Sequence, residues 1–562
     1  MSEVEDRETV QSLAEALSVT PLIAKILCMR GICDFDAART FFKPSLSDLN
    51  DPFLLADMDK AVVRIEQAIQ QNERIFIYGD YDVDGITSAA MLILFLKQLG
   101  AEVFYYIPDR LKEGYGLSEL GIEQAIQNQA TLMITVDCGI TGVEEVRHAH
   151  QQGLDVIITD HHEPAETMPD AVAILDPKRE GCPYPFKELA GVGVAFKLVQ
   201  AVTTHMNLDP NLPSEYLDLV ALGSAADIVP LVDENRVLVH QGLERLNQLE
   251  RIGIRSLAEI CGLKGRRIGT GQLVFIMAPR INAVGRLGNA EQAVHLLITD
   301  SEEDARHIAQ ILDKENQTRK FIDEETFNQA LEIMENQEGE VGSSVVLSRE
   351  GWHSGVIGIV ASRIVEKVFR PTVMIAIEDG VGKGSARSIP NFDVYSAIKQ
   401  CEKHLIGFGG HKYAAGLTID PKNIPKFKEA FHAAVNSLME EDHLVQRIHM
   451  DAEIDLVEID DKFVRILNRF APFGPQNMRP VFLSRNLQVV GTPRVIGRDH
   501  LKFRVRQSNR IFDAIGFGLG HKEGIVKALS EKGEANLDMI YVIEENVWNG
   551  QTRTQLRVKD LR

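Results

Sequence analysis

The chain has 562 residues, with 60 Lys and Arg against 81 Asp and Glu, which gives a formal net charge of −21. Hydrophobic residues make up 44% and charged residues 25%, which excludes a disordered chain, a coiled-coil rod and a disulfide-stapled miniprotein. The six cysteines form no C-x-x-C pair, the N-terminus is acidic and polar, and the apolar runs are far too short to span a membrane. We therefore expect a cytoplasmic protein that makes no membrane contact.

The pattern of elements predicts five segments in chain order. Residues 1–70 are expected to be helical, and residues 71–300 alternate strand-length apolar runs with helical segments. Such alternation predicts βαβ units and a mostly parallel sheet. Residues 301–336 have the pattern of one long polar helix that connects two domains. Residues 337–445 begin a second α/β region, and residues 446–562 are β-rich, as in a small barrel.

Acidic and histidine side chains follow the predicted strands of the first region. Three acids lie in the D-Y-D-V-D-G motif after the first strand, another begins D-C-G, and D-H-H follows a third strand. Because parallel strands end at one edge of a sheet, these side chains are expected to meet there. The candidates, together with an aspartate from a later apolar segment, are Asp80, Asp82, Asp84, Asp137, His161, His162 and Asp227.

Carboxylates with one or two imidazoles suit Mn²⁺ or Mg²⁺ better than a structural zinc. Two such ions, roughly 4 Å apart, can clamp a phosphoryl group. Any one of these segments alone is more often a helix cap, a turn or a surface histidine. Their occurrence at successive strand ends favours a metal site. Gly85 and a helix beginning near Thr87 would favour an anion at the same place.

The order of these motifs is similar to that of the DHH phosphoesterases. Motifs of the associated domain of that superfamily are G-W-H-S-G-V-I-G-I-V-A-S-R at 351–363, K-G-S-A-R-S at 383–388 and G-G-H-K-Y-A-A-G at 409–416. A-P-R-I-N-A-V-G-R-L-G at 278–288 resembles the RecJ branch of single-strand-specific 5′→3′ DNA exonucleases. The resemblance covers about residues 20 to 560. It implies an α/β protein with a parallel-sheet DHH domain, a long bridging helix, a DHH-associated domain and a C-terminal β-barrel of OB type.

The resemblance implies two ion sites that share Asp137 as a bridging ligand. Asp82 would bind the first ion, with Asp80 nearby as a less certain ligand. His162 would touch the scissile phosphate or support the ligands. A metal-activated hydroxide would then attack in line and release a 5′-mononucleotide, in DNA recombination and repair. The shell of the second ion would be completed by Asp84, His161 and Asp227.

Polarity requires a separate device, because two ions do not distinguish a 5′ end from a 3′ end. The resemblance suggests a 5′-phosphate pocket made by Arg110, Ser385 and Arg387, although Arg110 could instead form a surface ion pair beside Asp109. Further residues would line the path of the strand or let the backbone approach it. These are Arg280, Asn282, Gly409, Gly410 and His411.

One segment reverses the sign of the charge. Between residues 479 and 510 the only acid is Asp499, so this part of the barrel is either a DNA-binding face or an ordinary solvated one. Phe503 and Phe512 are candidate base stackers. Single-stranded DNA is the expected partner, the family implies cooperation with single-strand-binding protein, and we expect a monomer. The basic residues of this segment, between residues 479 and 510, are Arg479, Arg485, Arg494, Arg498, Lys502, Arg504, Arg506 and Arg510.

Two other functions remain open at this point. A small-substrate phosphodiesterase would act on oligoribonucleotides or cyclic dinucleotides, but such relatives are shorter and lack the barrel. A non-enzymatic scaffold would have lost the metal ligands, which are intact here. The choice between Mn²⁺ and Mg²⁺ is not decided by this ligand set.

Overall fold

The computed structural model describes residues 6–110, 112–336, 342–533, 535–548 and 551–562. In these ranges the chain forms a five-stranded, a second five-stranded and a seven-stranded sheet. The expected class is confirmed: a parallel-sheet domain, a long helix, a second α/β domain and a β-barrel follow one another.

The first sheet has the order β2-β1-β3-β4-β5, and all of its pairings are parallel. The central strands are rich in β-branched and aromatic residues and are buried along almost their whole length, as expected for a sheet covered on both faces. The strands are β1 (Arg74–Gly79), β2 (Glu102–Tyr106), β3 (Leu132–Val136), β4 (Asp155–Thr159) and β5 (Ala173–Leu175).

Helices cover both faces of this sheet and continue in a helical region after it. Those before and between the strands are α1 (Arg7–Leu17), α2 (Pro21–Cys28), α3 (Phe35–Phe42), α4 (Met58–Gln70), α5 (Val83–Gln98), α6 (Glu119–Gln127) and α7 (Val143–Gln151). Those that follow are α8 (Gly191–His205), α9 (Leu217–Ala226), α10 (Asp233–Leu246), α11 (Ile252–Ile260), α12 (Thr270–Gln272), α13 (Ala278–Leu287) and α14 (Glu291–Ile298), with a π-helical turn at Leu273–Met277.

The long helix α15 runs over Glu302–Glu335 and begins where it was expected. The Ser301 hydroxyl accepts the Asp304 N–H at 3.2 Å and so caps its first turn. Its first half packs on α11 and α13, and a later part packs on α16 (Ile357–Val368) of the next domain. The helix therefore bridges two domains. Phe321 of this helix is 70% exposed.

The second α/β domain has a mixed sheet of order β6-β7-β8-β10-β9. Only β6 and β7 pair in parallel, and the remaining neighbours are antiparallel. Its elements are β6 (Val345–Glu350), α16 (Ile357–Val368), β7 (Thr372–Glu378), β8 (Val381–Arg387), α17 (Val394–Lys399), β9 (Gly407–His411), β10 (Ala414–Ile419) and α18 (Ile424–Leu438).

The C-terminal sheet closes on itself, because β12 pairs with β14 as well as with β16. This closure confirms the expected barrel. Phe503 is only 3% exposed and lies in the barrel core, so it is not available for stacking as proposed above, and Phe512 packs partly against the same core. The elements are β11 (Ala452–Glu453), α19 (Asp461–Asn468), β12 (Val481–Val489), β13 (Arg494–Ile496), β14 (His500–Gln507), β15 (Arg510–Phe517), α20 (Glu523–Lys532), β16 (Ala535–Trp548) and β17 (Gln551–Leu561).

The N-terminal helices divide between two cores. Side chains of α1 to α3, such as Ile23 and Phe41, share one apolar cluster with Phe470 and Phe482 of the C-terminal part. Helix α4 instead packs into the core of the first domain through Met58. No single helix in the described ranges is long and apolar enough to cross a membrane; only α1 and α2, bent by 116° at their junction, satisfy length and composition together.

Candidate metal centre and phosphate cavity

An aspartate directly follows each of four parallel strands of the first sheet, β1, β3, β4 and β5. Hydrogen bonds continue the ladder beyond the strands: the Asp80 N–H donates to the Val136 carbonyl (3.3 Å), and the Asp137 N–H donates to the Thr159 carbonyl (2.9 Å). The Asp160 N–H donates to Leu175 in the same way (3.1 Å), and Asp176 follows β5. The acids are therefore brought to one edge, as the strand pattern predicted.

Asp82 also caps helix α5. Its Oδ1 accepts the backbone N–H groups of Asp84 (2.9 Å) and Gly85 (3.2 Å), so the helix begins at Val83 rather than near Thr87. The helix N-terminus thus lies directly at the acidic motif. A Cβ on Gly85 would lie 2.5 Å from the Asp80 carbonyl oxygen, so only glycine permits this close turn.

The side chains form overlapping groups whose ligand atoms lie within 4.8 Å of one another. One group is Asp80, Asp82 and Asp137, and a second is Asp84, His161 and Asp227. A third group, which shares a member with each of these, is Asp137, His161 and His162. The His161 Nε2 atom lies 3.1 Å from Asp137 Oδ1, which places Asp137 between the two groups. The separation into two sets joined by Asp137 has the form expected of two neighbouring ion sites.

Several buried polar atoms in this cluster lack a hydrogen-bond partner. They are Asp80 Oδ1, Asp137 Oδ1 and His161 Nε2. An unpaired buried oxygen or nitrogen costs about 1–3 kcal/mol. Two of these atoms are close neighbours, since His161 Nε2 lies 3.1 Å from Asp137 Oδ1. A hard divalent cation satisfies this donor set, because the donors are carboxylate oxygens with one imidazole.

The electrostatics of these side chains also favour a bound cation. Burial, reinforced by neighbouring carboxylates, raises the pKa of Asp84 to about 7 and raises the pKa values of Asp80, Asp137 and Asp227 well above the ordinary range. Burial, with the charge of His162, lowers the pKa of His161 to about 3, so its imidazole is neutral and can donate a lone pair. Cations in the cluster would hold the carboxylates in their ionised form.

The N-terminus of helix α8 holds one of the ligands. The N–H groups of Gly191 and Val192 donate to the two carboxylate oxygens of Asp84, at 2.6 and 2.9 Å. A Cβ on Gly191 would lie 2.6 Å from Asp137 Oδ1, so the absence of a side chain there gives Asp137 its place. This role was not predicted, although the A-G-V-G segment is visible in the sequence.

Asp227 reaches the cluster from a helix and not from a strand. It is the C-cap of α9, and its Oδ2 lies 3.6 Å from His161 Nε2. Asp137 itself has a left-handed backbone, with φ of 61°, which is uncommon for a residue other than glycine. Such local strain is typical of residues that a functional site holds in a fixed orientation.

Asp160 supports the two histidines that follow it. Its Oδ1 accepts the N–H groups of His161 (2.7 Å) and His162 (3.1 Å) and contacts His162 Nδ1 at 2.7 Å. Burial alone would lower the pKa of His162, but the bond and charge of Asp160 raise it. Tyr115 Oη lies 2.9 Å from the same Nδ1 atom. Sequence reasoning missed Asp160 and Tyr115, since nothing in their spacing shows a second layer of contacts.

A basic cavity of about 340 Å³ lies between the first and second domains. Arg110, Ser385 and Arg387, the predicted 5′-phosphate residues, all line it, and no carboxylate is found among its described lining residues. Arg387 Nη1 donates to Ser385 Oγ at 2.9 Å, while Arg110 lies over the ring of Tyr81, 5.1 Å from its centroid. Asp109 pairs instead with Lys112 at 2.9 Å. A cavity lined by converging guanidinium groups is suited to a phosphate.

Arg286 is a further lining residue that sequence reasoning missed. Burial, and then repulsion by Arg110, Arg319 and Arg387, lowers its pKa to about 10. The arginine proposed from the same motif, Arg280, does not line the cavity; it pairs with Asp313 at 2.8 Å. The motif A-P-R-I-N-A-V-G-R contains both arginines, and only the packing of α13 distinguishes them.

The other residues predicted to line the path of the DNA strand lie in different parts of the structure. Asn282 Oδ1 accepts the Val83 N–H at 3.2 Å and so lies at the start of α5, beside the acidic cluster. Gly410 lines the cavity, and its φ of 141° belongs to glycine. Gly409 and His411 are exposed on strand β9, which pairs only with β10 in the described structure.

The basic barrel segment is partly neutralised. Arg485 pairs with Glu453 and Asp538, Arg498 pairs with Glu324 of the bridging helix, and Arg479 lies over the Phe473 ring. Arg506 donates to Gln488. Among the described residues, the exposed basic residues of the segment that form neither an ion pair nor a hydrogen bond to a neighbouring side chain are Arg494, Lys502, Arg504 and Arg510.

Three family models match the chain in order. They are the DHH family N-terminal domain at residues 74–224, the DHHA1 domain at 341–437 and the RecJ OB domain at 450–560. Each range falls inside one of the predicted segments, whose own boundaries remain predictions.

The chain is also similar to named proteins over almost its whole length. It is 40% identical over 99% of its residues to the single-stranded-DNA-specific exonuclease RecJ of Bacillus subtilis, of which it covers 70%. It is 33% identical to RecJ of Salmonella typhimurium, covering 99% of this chain and 98% of that protein.

Solved structures give the same result. RecJ from Thermus thermophilus in complex with Mn²⁺ superposes with a TM-score of 0.82 at 32% identity, over 99% of this chain and 78% of that one. A manganese-bound exonuclease RecJ superposes with a TM-score of 0.61 at 38% identity, over 70% of this chain and 96% of that one. The chain belongs to the RecJ family of DHH phosphoesterases.

Proposed function

We propose that this protein is a single-stranded-DNA-specific 5′→3′ exonuclease that depends on two divalent cations, Mn²⁺ or Mg²⁺. The observation that carries the proposal is the pairing of two features: an unsatisfied carboxylate–imidazole cluster and a carboxylate-free arginine cavity beside it. Tyr81 connects the cluster with the cavity, since it lies between Asp80 and Asp82 in the chain and the Arg110 guanidinium lies over its ring. The curated relatives are named as single-stranded-DNA-specific exonucleases, which agrees with this chemistry.

The cluster divides its ligands between two ions. Asp82 with Asp80 would hold the first ion, and Asp84, His161 and Asp227 would hold the second. Asp137 lies between the two groups and would serve both ions. When bound, the ions neutralise charge on the scissile phosphate and lower the pKa of an attacking water. The α8 N–H groups orient Asp84 and favour its ionised form against the effect of burial, and Asp160 fixes the His162 ring beside the phosphate.

The cavity gives the reaction its direction. Arg110, Arg286, Ser385 and Arg387 bind a terminal 5′-phosphate, and only the phosphodiester on the 3′ side of that nucleotide then reaches the cluster. Water adds to that phosphorus, the bond to the 3′-oxygen breaks, and the 3′-oxygen leaves with a proton. The products are a 5′-mononucleotide and a strand with a new 5′-phosphate.

The strand continues past Asn282 and the glycines of β9 towards the barrel. Single-stranded DNA meets a positive surface at Arg494, Lys502, Arg504 and Arg510, where the net charge of the whole chain is locally reversed. Arg280 and His411 remain predicted contacts of this path. We further propose that the protein acts as a monomer in the cytoplasm, in recombination and repair, together with single-strand-binding protein.

End-labelled digestion tests this function. Single- and double-stranded DNA and RNA, labelled at the 5′ end, are incubated with Mn²⁺, Mg²⁺ or EDTA. Single-stranded DNA should release its label at once as mononucleotide, and only with a metal. Label that appears only after long digestion would mean attack from the 3′ end. Preferential cleavage of short oligoribonucleotides would instead favour the small-substrate phosphodiesterase.

A further inference from the structure

Two cysteines lie side by side where helix α2 ends. Cys28 is the last residue of α2, and Cys33 lies in the turn before α3. This turn reverses the chain, because the Ile32 N–H donates to the Leu27 carbonyl at 3.0 Å and Gly31 has a left-handed φ of 77°. A helix end of this kind brings the following residue back beside the last turn of the helix, so Cys33 returns to Cys28.

The two thiol groups are in contact. Cys33 Sγ lies 3.8 Å from the Cys28 carbonyl oxygen, and the Cys33 thiol also hydrogen-bonds to the Cys28 thiol. Burial, and then this bond between the thiols, raises the pKa of Cys28 to about 12. Cys28 is therefore protonated at neutral pH and is a weak nucleophile in the reduced protein, so a first reaction with an oxidant falls to Cys33.

The two cysteines differ in their access to solvent. Cys33 is exposed, whereas Cys28 is 8% exposed and belongs to the apolar cluster that the N-terminal helices share with the barrel. A small oxidant in solution thus reaches Cys33 first and finds Cys28 directly behind it. An accessible thiol beside a second thiol that resolves it is the arrangement found in redox-sensing proteins.

The turn between the cysteines is attached to the C-terminal part of the chain. Arg30 lies within it and donates from Nη2 to the Met478 carbonyl at 3.0 Å, while its Nη1 lies 3.5 Å from Asp451 Oδ1. Arg30 Nη1 also donates to the Ile26 carbonyl of α2 at 2.9 Å. These contacts hold the turn in one conformation, so the two thiols stay together in the folded protein.

We propose that Cys28 and Cys33 form a reversible disulfide when the protein meets a peroxide, at a site outside the metal centre and the phosphate cavity. The Cys33 thiolate attacks one oxygen of hydrogen peroxide, the O–O bond breaks, and hydroxide takes up the thiol proton and leaves as water. The Cys28 sulfur then attacks the sulfenic acid, the S–O bond breaks, and a second water leaves with the Cys28 proton. The two sulfurs lose two electrons in total, and one peroxide becomes two waters. A dithiol reductant reverses the reaction by thiol–disulfide exchange.

Thiol counting on the full-length protein tests the proposal. The folded protein is treated with hydrogen peroxide in EDTA, and its remaining thiols are alkylated after unfolding in urea. Four of the six cysteines should be alkylated, and all six after treatment with dithiothreitol. Trypsin separates residues 26–30 from residues 31–39, so mass spectrometry should find these two peptides joined, with a mass two hydrogens below their sum.

Substitutions separate the two steps. Cys33→Ser, at an exposed position, should keep five alkylated thiols, whereas Cys28→Ser should stop at a Cys33 sulfenic acid that dimedone traps. Cys261→Ser is the control, because the Cys261 thiol is partly exposed and contacts the Ile276 carbonyl at 3.9 Å; this variant should still form the joined peptides.

Three results would overturn the proposal. The first is six intact thiols at a peroxide concentration that oxidises glutathione in the same solution. The second is a Cys33→Ser variant that loses two thiols as the unmodified protein does. The third is a disulfide between two chains, seen as a dimer on a non-reducing gel, in place of the joined peptides from one chain.

Discussion

At the scale of single residues, Asp137 joins the two halves of the metal cluster and has an unpartnered oxygen between them. Asp137→Asn should therefore lower Mn²⁺ affinity by more than about 100-fold, since even partners of metal ligands contribute 10- to 100-fold. Hydrolysis of single-stranded DNA should be lost, while DNA binding by the barrel and the melting temperature in EDTA are retained.

Isothermal titration with Mn²⁺ measures this affinity. Asp176→Asn is the matched control, because Asp176 is a buried acid at the same sheet edge but belongs to none of the ligand groups found among the described residues. Its Mn²⁺ affinity should stay within a few-fold of that of the unmodified protein. Full activity of Asp137→Asn with Mn²⁺ would contradict the two-ion arrangement.

The raised carboxyl pKa values predict how stability depends on pH. Burial raises the pKa of Asp84 to about 7, so in the metal-free protein the folded state holds a proton that the unfolded chain releases near the ordinary carboxyl value. The folded state thus binds more protons between about pH 4 and 7, and its stability falls as pH rises through this window. Saturating Mn²⁺ should replace the protons and reverse the trend.

Melting temperatures measured from about pH 5 to pH 8 check this sign. The stabilisation by Mn²⁺, taken as the difference from EDTA, should grow as pH rises. Asp84→Asn does not titrate, so it should weaken the decline of stability in EDTA. The contrary result would be a metal-free protein whose stability rises with pH through this window, with a rise that Asp84→Asn removes. It would show that another group keeps the Asp84 carboxyl ionised in the folded state.

The clustering of the candidate ligands could be predicted from the sequence, because each acid follows an apolar run and the strand ends of a parallel sheet lie at one edge. It did not distinguish Arg280 from Arg286, because both lie in one helical motif and the cavity is formed by the approach of another domain. Phe503 was wrongly predicted to stack on bases. An aromatic residue in a strand points into or out of the barrel according to the register of the strand, and Phe503 lies in the barrel core.

At the scale of elements, the N-terminus of α8 determines where two ligands lie. Gly191→Ala would place a methyl group 2.6 Å from Asp137 Oδ1 and disturb the N–H group that Asp84 accepts. Mn²⁺ affinity should fall about 10- to 100-fold, as for other partners of metal ligands. The rest of α8 is buried in the core and should keep its structure.

Gly193→Ala on the same helix is the control for this change. Its added Cβ would meet the Leu189 side chain at 3.3 Å and no metal ligand. Titration with Mn²⁺ and circular dichroism should show normal affinity and normal helicity for this variant. Equal losses of affinity in both variants would mean that α8 acts through its general packing rather than through Asp84 and Asp137.

The elements themselves were mostly predictable, whereas their partners were not. The predicted alternation of strand-length runs and helical segments in residues 71–300 is present as β1 to β5 and the helices between them, because short local patterns specify such elements. Asp227 was found as an acid in an apolar segment, but its position at the end of α9 depends on how α9 packs against α5. Contacts between elements distant in sequence leave no periodic pattern.

At the scale of the whole molecule, the barrel cannot be removed cleanly. Its core includes Ile23 and Phe41 of the N-terminal helices, and the buried Arg236 of α10 donates to the carbonyls of Phe41 and Phe470, both at 2.9 Å. Truncation at about residue 450 would expose this shared core and leave Arg236 with only the Phe41 carbonyl among these partners. Substitution of surface charges is therefore the better test of the barrel.

The unpaired basic residues of the barrel should determine how DNA binding depends on salt. Each phosphate contact on a single strand contributes about 0.7 to the slope of log K against log salt concentration. Replacing Arg494, Lys502, Arg504 and Arg510 by Gln should therefore flatten the slope by up to about 3 and weaken binding at low salt. Hydrolysis of a short oligonucleotide, which reaches only the cavity and the metal centre, should change little.

Arg485→Gln is the matched control, because Arg485 lies in the same segment but is already paired with Glu453 and Asp538. Its slope should stay close to that of the unmodified protein, since a neutralised guanidinium releases no counterion from DNA. Fluorescence anisotropy with a labelled single strand, from about 50 to 200 mM salt, measures both slopes. An unchanged slope in the fourfold variant would make this face ordinary solvated surface and would assign the binding of the strand to the cavity and the cleft beside it.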